Sequence, residues 1–576
     1  MSGETKLDLL QVQLLMCLPR RGGAHTKHLI PRHCTDHFCC SLLKMAKTTT
    51  FRRRTLLAAA LRRYWIAVVV AFLFMKSTAG CFWSEHNRFF FHWQRSDTLA
   101  VFGSIAVVAT AFYSAYAVLS RLGRFGRYAV GLCFVCATVF YLKVYLSETL
   151  EAGGGIAGAF VPHLKWIIVC WTGFFFLNRR AVVRSVVAVC LIVSPIVPLY
   201  LLTLLRARPV SSVTRWEPAR VAARSGGAVR VDKVLVLLFD EWSYTRTFEN
   251  GRVAAEFPNI RRMAERAVVF HQGYSPASST FDSVPSMLCG RVGRSVLRDG
   301  TLYLDDGENL AACNALDNMF KRMRRRGFRT AAYGACLPYA EIFGRAIDVS
   351  EACALEKVLG TSPLPVCAGM LLANLKIRTP SFLPCATRPF FWVKHRYYVQ
   401  MHEWMRDRTL SELRQPGNSF VFVHNMIPHV PFIFTREGPR RNRGDRDRVS
   451  LPGYIDNLRF TDGYVGEVLD ALEAMDPQCS VLTIMLSDHT FRLDPAFDRD
   501  KARPPRLCHI PLFVLLPGQT QRMDIEFPFS TALLADVVSQ WLDSEMSVQN
   551  FAALCRSFNR SDIRVLIDGE PVGIDG

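Results

Sequence analysis

Val234-Leu235-Val236-Leu237-Leu238-Phe239-Asp240-Glu241 decides the fold. Six apolar residues in a row, without polar alternation, predict a strand covered on both faces, and two acids sit where it ends. The same half of the chain repeats the pattern. A helical segment over 258–266 leads into a short strand over 267–270, and a further strand is predicted at 329–333. The run 420–423 leads into His424 and then Pro428-His429, and 481–486 ends on Ser487-Asp488-His489. The run 510–516 starts directly after His509. Strands separated by helical segments predict an α/β domain whose central sheet is mostly parallel, with helices on both faces. Ligands of such sheets bind beyond the carboxyl ends of the strands. Asp240, Glu241, His424, His429, Asp488 and His489 all fall there, and His509 falls just before a strand.

Between the strands lies Ser278-Ser279-Thr280-Phe281-Asp282-Ser283-Val284-Pro285-Ser286-Met287. Serine-rich loop precedes Thr280 and a helix is predicted after it, so its hydroxyl stands at a helix N-terminus, where unpaired N–H groups favour an anion. A threonine in that position is most often a cap. Strand-end partners change the balance. Asp240, Glu241, Asp488 and His489 make a mixed oxygen and nitrogen set of the kind that suits Zn2+, or Mn2+ where carboxylates dominate. A threonine hydroxyl becomes a useful nucleophile when its proton is removed or a cation stabilises the alkoxide. Histidines such as His424, His429 and His509 can bind non-bridging oxygens or protonate a leaving alkoxide. The set therefore predicts metal-assisted attack by a hydroxyl.

The chain has 576 residues, half of them hydrophobic, with a mean hydropathy of +0.14 and a formal charge of +21. The apolar residues concentrate before residue 205, which predicts a membrane part followed by an exported part. Spans are expected at 64–80, 98–119, 128–147, 156–177 and 182–205, each long enough for a hydrocarbon core of about 30 Å. Arg52, Arg53, Arg54, Arg62 and Arg63 precede the first span. Arg121, Arg124 and Arg127 separate the second and third, and Arg179, Arg180 and Arg184 the fourth and fifth. This bias predicts a cytoplasmic N-terminus and export of everything after the fifth span. Next to such spans the positive charge points to membrane and anionic lipid and away from nucleic acid. Residues 1–50 read as a tail, with Met45 as an alternative start. Residues 51–205 read as the membrane domain, 206–228 as a linker, 229–548 as the catalytic domain and 549–576 as an extension with strand and turn.

Taken in order, the motifs resemble the alkaline phosphatase/sulfatase superfamily, and within it the membrane-bound phosphoethanolamine transferases. The resemblance rests on Asp240-Glu241, Phe257-Pro258-Asn259-Ile260, the Thr280 segment, His424 to Pro431, Tyr454-Ile455-Asp456-Asn457, Phe460-Thr461-Asp462, Ser487-Asp488-His489 and His509-Ile510-Pro511-Leu512. It covers about residues 230 to 545 and includes the five preceding spans. It implies Thr280 as nucleophile and metal ligand. Glu241, Asp488 and His489 are then further zinc ligands, with Asp240 an additional one. His429 and His509 would bind the transferred group or a second metal, and His424 occupies a position where those transferases carry histidine.

The implied activity moves a phosphoethanolamine-like group from a phospholipid donor to an anionic lipid A or glycan acceptor, through a phosphothreonine. The implied place is a bacterial inner membrane, with the catalytic domain periplasmic. A sulfatase-like hydrolase of phosphate or sulfate esters and a non-catalytic membrane scaffold are the two alternatives. The chain departs from the transferase pattern at Pro276 and Ser286, which stand for cysteines, at Phe281, which stands for alanine, and at Val430, which stands for glycine. No Cys or Ser followed by x-Pro-x-Arg surrounds Thr280, which disfavours formylglycine chemistry. Nine cysteines follow residue 205, and an oxidising compartment would pair several of them.

Overall fold

The computed structural model describes residues 55–75, 178–216, 231–353, 384–439, 450–475, 480–495, 504–544, 547–558 and 563–574, and most of 82–135. Its N-terminal helices are α1 (Thr55–Met75), α2 (Glu85–Phe90), α3 (Arg95–Ser120), α4 (Arg179–Val193) and α5 (Ile196–Arg206). Among the described residues three helical stretches are long and apolar enough to cross a membrane: α1, α3, and α4 with α5. They coincide with the expected spans at 64–80, 98–119 and 182–205. The structure thus supports three spans where five were expected, because 156–177 lies outside the described residues and 128–147 is described only as far as 135. Pro195 divides α4 from α5 because it has no N–H for the Leu191 carbonyl. The Ser194 hydroxyl donates to that carbonyl instead, at 2.8 Å.

Among the described residues nine strands form the central sheet: β1 (Val213–Arg215), β2 (Lys233–Asp240), β3 (Val268–Phe270), β4 (Arg329–Gly334), β5 (Val349–Ala352), β6 (Ser419–Pro428), β7 (Val481–Ser487), β8 (Leu512–Leu515) and β9 (Met523–Ile525). Their spatial order is β1-β5-β4-β6-β2-β7-β8-β3-β9. The sheet is mixed. Strands β2 to β7 and β9 run the same way, while β1 and β8 are antiparallel to their neighbours. The reversal of β8 explains why His509 precedes its strand and still stands at the edge where the parallel strands end, with Leu512 opposite Leu486.

Strand β2 is buried along its whole length, as its unbroken apolar run predicts. Its side chains alternate between two cores, following the period of two of a strand. Val234, Val236 and Leu238 join Val284, Met287 and Leu288 of helix α6 (Thr280–Cys289). Leu235, Leu237 and Phe239 face Leu458, Val465 and Val468 of helix α7 (Leu451–Glu473). Each such side chain contributes about 1.5–3 kcal/mol on burial, so Asp240 is carried on one of the most firmly held strands.

One segment behaves differently from the sequence reading, and another forms as expected. Within 206–228, read as a linker, Val213–Arg215 is a strand that pairs antiparallel with β5, Val213 opposite Glu351. Its first residue therefore lies at the edge where β5 ends. Near the C-terminus, Ile563–Ile567 and Glu570–Ile574 form a hairpin, here β10 and β11. Leu566 bridges to Ala277: its carbonyl accepts from Ser278 N at 2.9 Å, and its N–H donates to Pro276 O at 2.8 Å. The hairpin thus lies along the loop that leads to Thr280. Cys289, Cys313, Cys336, Cys508 and Cys555 are buried free thiols, and Cys353 is buried.

Candidate metal and nucleophile site

Thr280 is the first residue of α6, but it does not cap the helix. Ser279 does, with extended backbone and a side chain that accepts from Asp282 N. The Thr280 hydroxyl is left to point elsewhere, and it donates to Asp488 Oδ2 at 2.6 Å. Ser283, one turn on, donates to the Asp488 carbonyl at 2.6 Å and fixes the helix to the end of β7. Pro285 inside α6 has no N–H for the Phe281 carbonyl, and Ser295 Oγ supplies the missing donor at 2.6 Å. Ser295 N also donates to Asp282 Oδ1 at 2.7 Å. The start of this helix is therefore held from three sides.

Asp240, Asp488 and His489 place one ligand atom each within 4.8 Å of one another, and all three are buried. His489 Nε2 stands 3.3 Å from Thr280 Oγ1, 3.4 Å from Asp488 Oδ2 and 3.8 Å from Asp240 Oδ1. Its Nδ1 lies 2.9 Å from the Thr490 carbonyl, which requires the proton on Nδ1. The Nε2 lone pair is then turned toward oxygens, the tautomer and orientation of a metal-binding histidine. Asp240 Oδ1 is buried without a hydrogen-bond partner. An orphaned carboxylate oxygen, a second carboxylate, an imidazole lone pair and a hydroxyl converging on one point fit a zinc-type cation.

Electrostatics agree with this. Burial, and then the neighbouring Asp488 and Glu241 carboxylates, push Asp240 well above the usual carboxylate range, with Arg492 opposing. Burial opposes ionisation of Asp488 too. His489, His424 and the hydrogen bonds from Thr280 and Glu241 N outweigh it and hold Asp488 below the usual range. Of the pair, Asp240 keeps a proton until something positive replaces it.

The other expected residues divide. Glu241 does not join the cluster. Its backbone is left-handed, with φ of 63°, and its Oε1 accepts from Arg492 Nε at 3.1 Å. Its own N–H donates to Asp488 Oδ1 at 3.2 Å and its carbonyl accepts from Tyr454 at 2.7 Å, so it acts on the cluster through the backbone. His424 is buried, with Nδ1 2.7 Å from the Tyr339 hydroxyl and Nε2 without a partner. Burial lowers it to about 4 despite the attraction of Asp488. His429 N donates to the Asp240 carbonyl at 3.1 Å, and its Nδ1 lies 2.7 Å from the Val430 carbonyl. His509 is held away from the cluster contacts. Its Nε2 donates to the His271 carbonyl at 2.9 Å, and its ring packs on Tyr244 at 4.2 Å and Tyr274 at 5.3 Å. Burial lowers it to about 4. Ser279, Ser283, Ser295, Tyr339 and Arg492 complete the site and carry no sequence signal stronger than proximity to a motif.

The α/β domain thus gathers two carboxylates, an imidazole and a hydroxyl at the ends of its parallel strands. The sulfatase family model matches residues 232–544, more than half of the chain, and the chain belongs to the sulfatase family. Solved structures similar to this chain include Ps i-CgsB, with 13% identity over 58% of this chain and 79% of that one, at a TM-score of 0.40. The zinc complex of the C-terminal periplasmic domain of EcEptC from Escherichia coli has 12% identity over 64% and 96%, at 0.38. The phosphonate monoester hydrolase of Agrobacterium radiobacter has 15% identity over 58% and 80%, at 0.35. No curated protein matches the sequence.

Proposed function

We propose that the protein is a membrane-anchored, metal-dependent transferase that moves a phosphoethanolamine-like group from a phospholipid to an anionic lipid A or glycan acceptor. Asp240, Asp488, His489 and Thr280 would hold the cation, Zn2+ or Mn2+. When bound it would supply charge for the Thr280 alkoxide and the developing phosphoryl oxygens. Asp488 accepts the hydroxyl hydrogen bond and aligns the Thr280 oxygen. That oxygen passes its proton to Asp488 as it forms a bond to the headgroup phosphorus and the bond to the diacylglycerol oxygen breaks. His429, half-buried and with Nε2 unengaged among the described residues, gives the departing oxygen a proton. His424 remains a neutral ring that interacts with Asp488. An acceptor hydroxyl then displaces Thr280, its proton going to His429, while the proton on Asp488 returns to the Thr280 oxygen.

The observation that carries the lipid reading is the join between α5 and the sheet. Only residues 207–212 separate Arg206 from β1, and an extended chain of that length reaches roughly 20 Å. Because β1 is antiparallel to β5, the join arrives at the edge of the sheet that bears the site. This supports a site facing the bilayer, and the arginine bias around the apolar segments supports a cytoplasmic N-terminus with the domain on the periplasmic side of a bacterial inner membrane.

Intact-mass measurement after incubation with phosphatidylethanolamine tests the reading. A phosphoethanolamine adduct should appear on wild type and be absent from Thr280→Ala. Undiminished turnover in Thr280→Ala would sink it. Turnover that gains nothing from a lipid or glycan acceptor would make the protein a hydrolase.

A further inference from the structure

A second feature stands where the membrane helices meet the catalytic domain. A cavity of about 430 Å³ is walled by α2, by the exit of α5 and its continuation to Val210, and by the turn Asp299-Gly300. Its size falls within the roughly 300–1,000 Å³ of small-ligand pockets. The walls are fastened to one another. Val210 N donates to the Trp93 carbonyl at 2.8 Å, Gln94 Nε2 donates to the Val210 carbonyl, and Gly300 N donates to Glu85 Oε1 at 2.8 Å.

The lining is of mixed sign: Arg88, Arg206 and Arg208 against Glu85, Asp299 and Glu341. Arg208 stands 3.5 Å from Glu341, a loose pair, and Arg88 donates to the Phe82 carbonyl at 2.7 Å. Arg206, which lines the cavity, has neither an ion pair nor a side-chain hydrogen bond among the described residues. A purely anionic guest would meet three carboxylates, and an acyl chain would leave the guanidinium groups unanswered. A group with a phosphate at one end and a hydrogen-bonding ammonium at the other satisfies both signs. The level is that of the membrane surface, since Arg206 ends the last described apolar helix. The same wall also reaches the nucleophile helix, where the His86 ring packs on Phe281 at 4.1 Å.

We infer that this cavity is a headgroup site for a zwitterionic phospholipid, with the phosphate on Arg206 and Arg208 and a primary ammonium toward Glu85 and Asp299. The inference rests on the reading of the apolar helices as membrane spans. It is a statement about binding and survives whether the domain transfers or hydrolyses.

The test uses the full chain carrying Thr280→Ala, so that no turnover depletes the lipid. It is reconstituted in phosphatidylcholine nanodiscs doped equally with phosphatidylethanolamine and phosphatidylglycerol, and retained lipid is read by native mass spectrometry. Phosphatidylethanolamine should be retained over both others, because choline offers no N–H to the carboxylates. Adding Arg206→Ala should weaken retention by about tenfold, the loss of one charge-assisted hydrogen bond. Glu85→Gln keeps an acceptor for Gly300 N, removes the charge, and should shift retention toward phosphatidylglycerol. Preference for phosphatidylglycerol in the parent, equal retention of all three lipids, or unchanged retention in Arg206→Ala would each overturn the site.

Discussion

Thr280 Oγ1 and Asp488 Oδ2 lie 2.6 Å apart across 208 residues of sequence. The bond is available because Ser279 caps the helix, so chemistry and helix stability are separated at neighbouring positions. Thr280→Ala should therefore abolish turnover while leaving the fold intact. The stability change should stay within about 1.5 kcal/mol, the net value of one hydrogen bond, in a urea titration followed by circular dichroism. Thr280→Ser should keep part of the activity.

The metal prediction concerns Asp240 and His489. Asp240→Asn and His489→Ala should each lower the zinc content of protein purified without chelators, measured by plasma mass spectrometry. Chelation of wild type should lower its melting temperature, since a cation bound only by the folded state stabilises it by mass action. Binding should release a proton and strengthen with rising pH, because the raised Asp240 must lose its proton to the cation. Isothermal titration in two buffers of different ionisation enthalpy measures that proton.

Buried histidines set the acid limit. His424 and His509 are lowered to about 4 and His402 to about 3, each chiefly by burial. A histidine whose folded value is depressed binds its proton more readily when unfolded. Its stabilising contribution is present above the ordinary 6.5 and is lost as pH falls toward the folded value. Each group adds a slope of up to about 1.4 kcal/mol per pH unit in that window. The urea midpoint should fall steeply between those values, and His402→Phe should make the fall shallower without altering metal content.

Ser295 should behave as a positioning residue. Ser295→Ala leaves the Phe281 carbonyl without the donor that Pro285 cannot provide, at about 1–3 kcal/mol. The expected signature is a lower kcat with KM nearly unchanged. Ser295→Thr, which keeps the hydroxyl, should restore most of it.

Much of this was legible because the sheet writes itself strongly. The run from Val234 to Phe239 has one physical reading, and the acids and histidines that follow each strand mark one edge. Asp240, Asp488 and His489 were singled out that way and Thr280 by its place at a helix start, and the structure brings the four together. Glu241 was expected beside them, but a left-handed backbone turns its carboxylate to Arg492, and φ at a strand end cannot be read from residue types. His509 stands at the expected edge, yet its ring is committed to Tyr244, Tyr274 and the His271 carbonyl, contacts between segments far apart in sequence. Strand β1 was missed because three residues, Val213, Thr214 and Arg215, carry no periodicity. Ser295 could be valued only once Pro285 was seen inside a helix.

The short join between Arg206 and β1 has a kinetic consequence. On the proposed lipid reading, a domain whose first strand lies within roughly 20 Å of the last apolar helix would meet lipid by lateral diffusion, so encounter would depend on the mole fraction of substrate in the surface. Diluting a fixed amount of donor lipid with inert detergent should slow turnover at constant bulk concentration. Rates would then follow surface dilution, and a KM in molar units would hold for one micelle composition only.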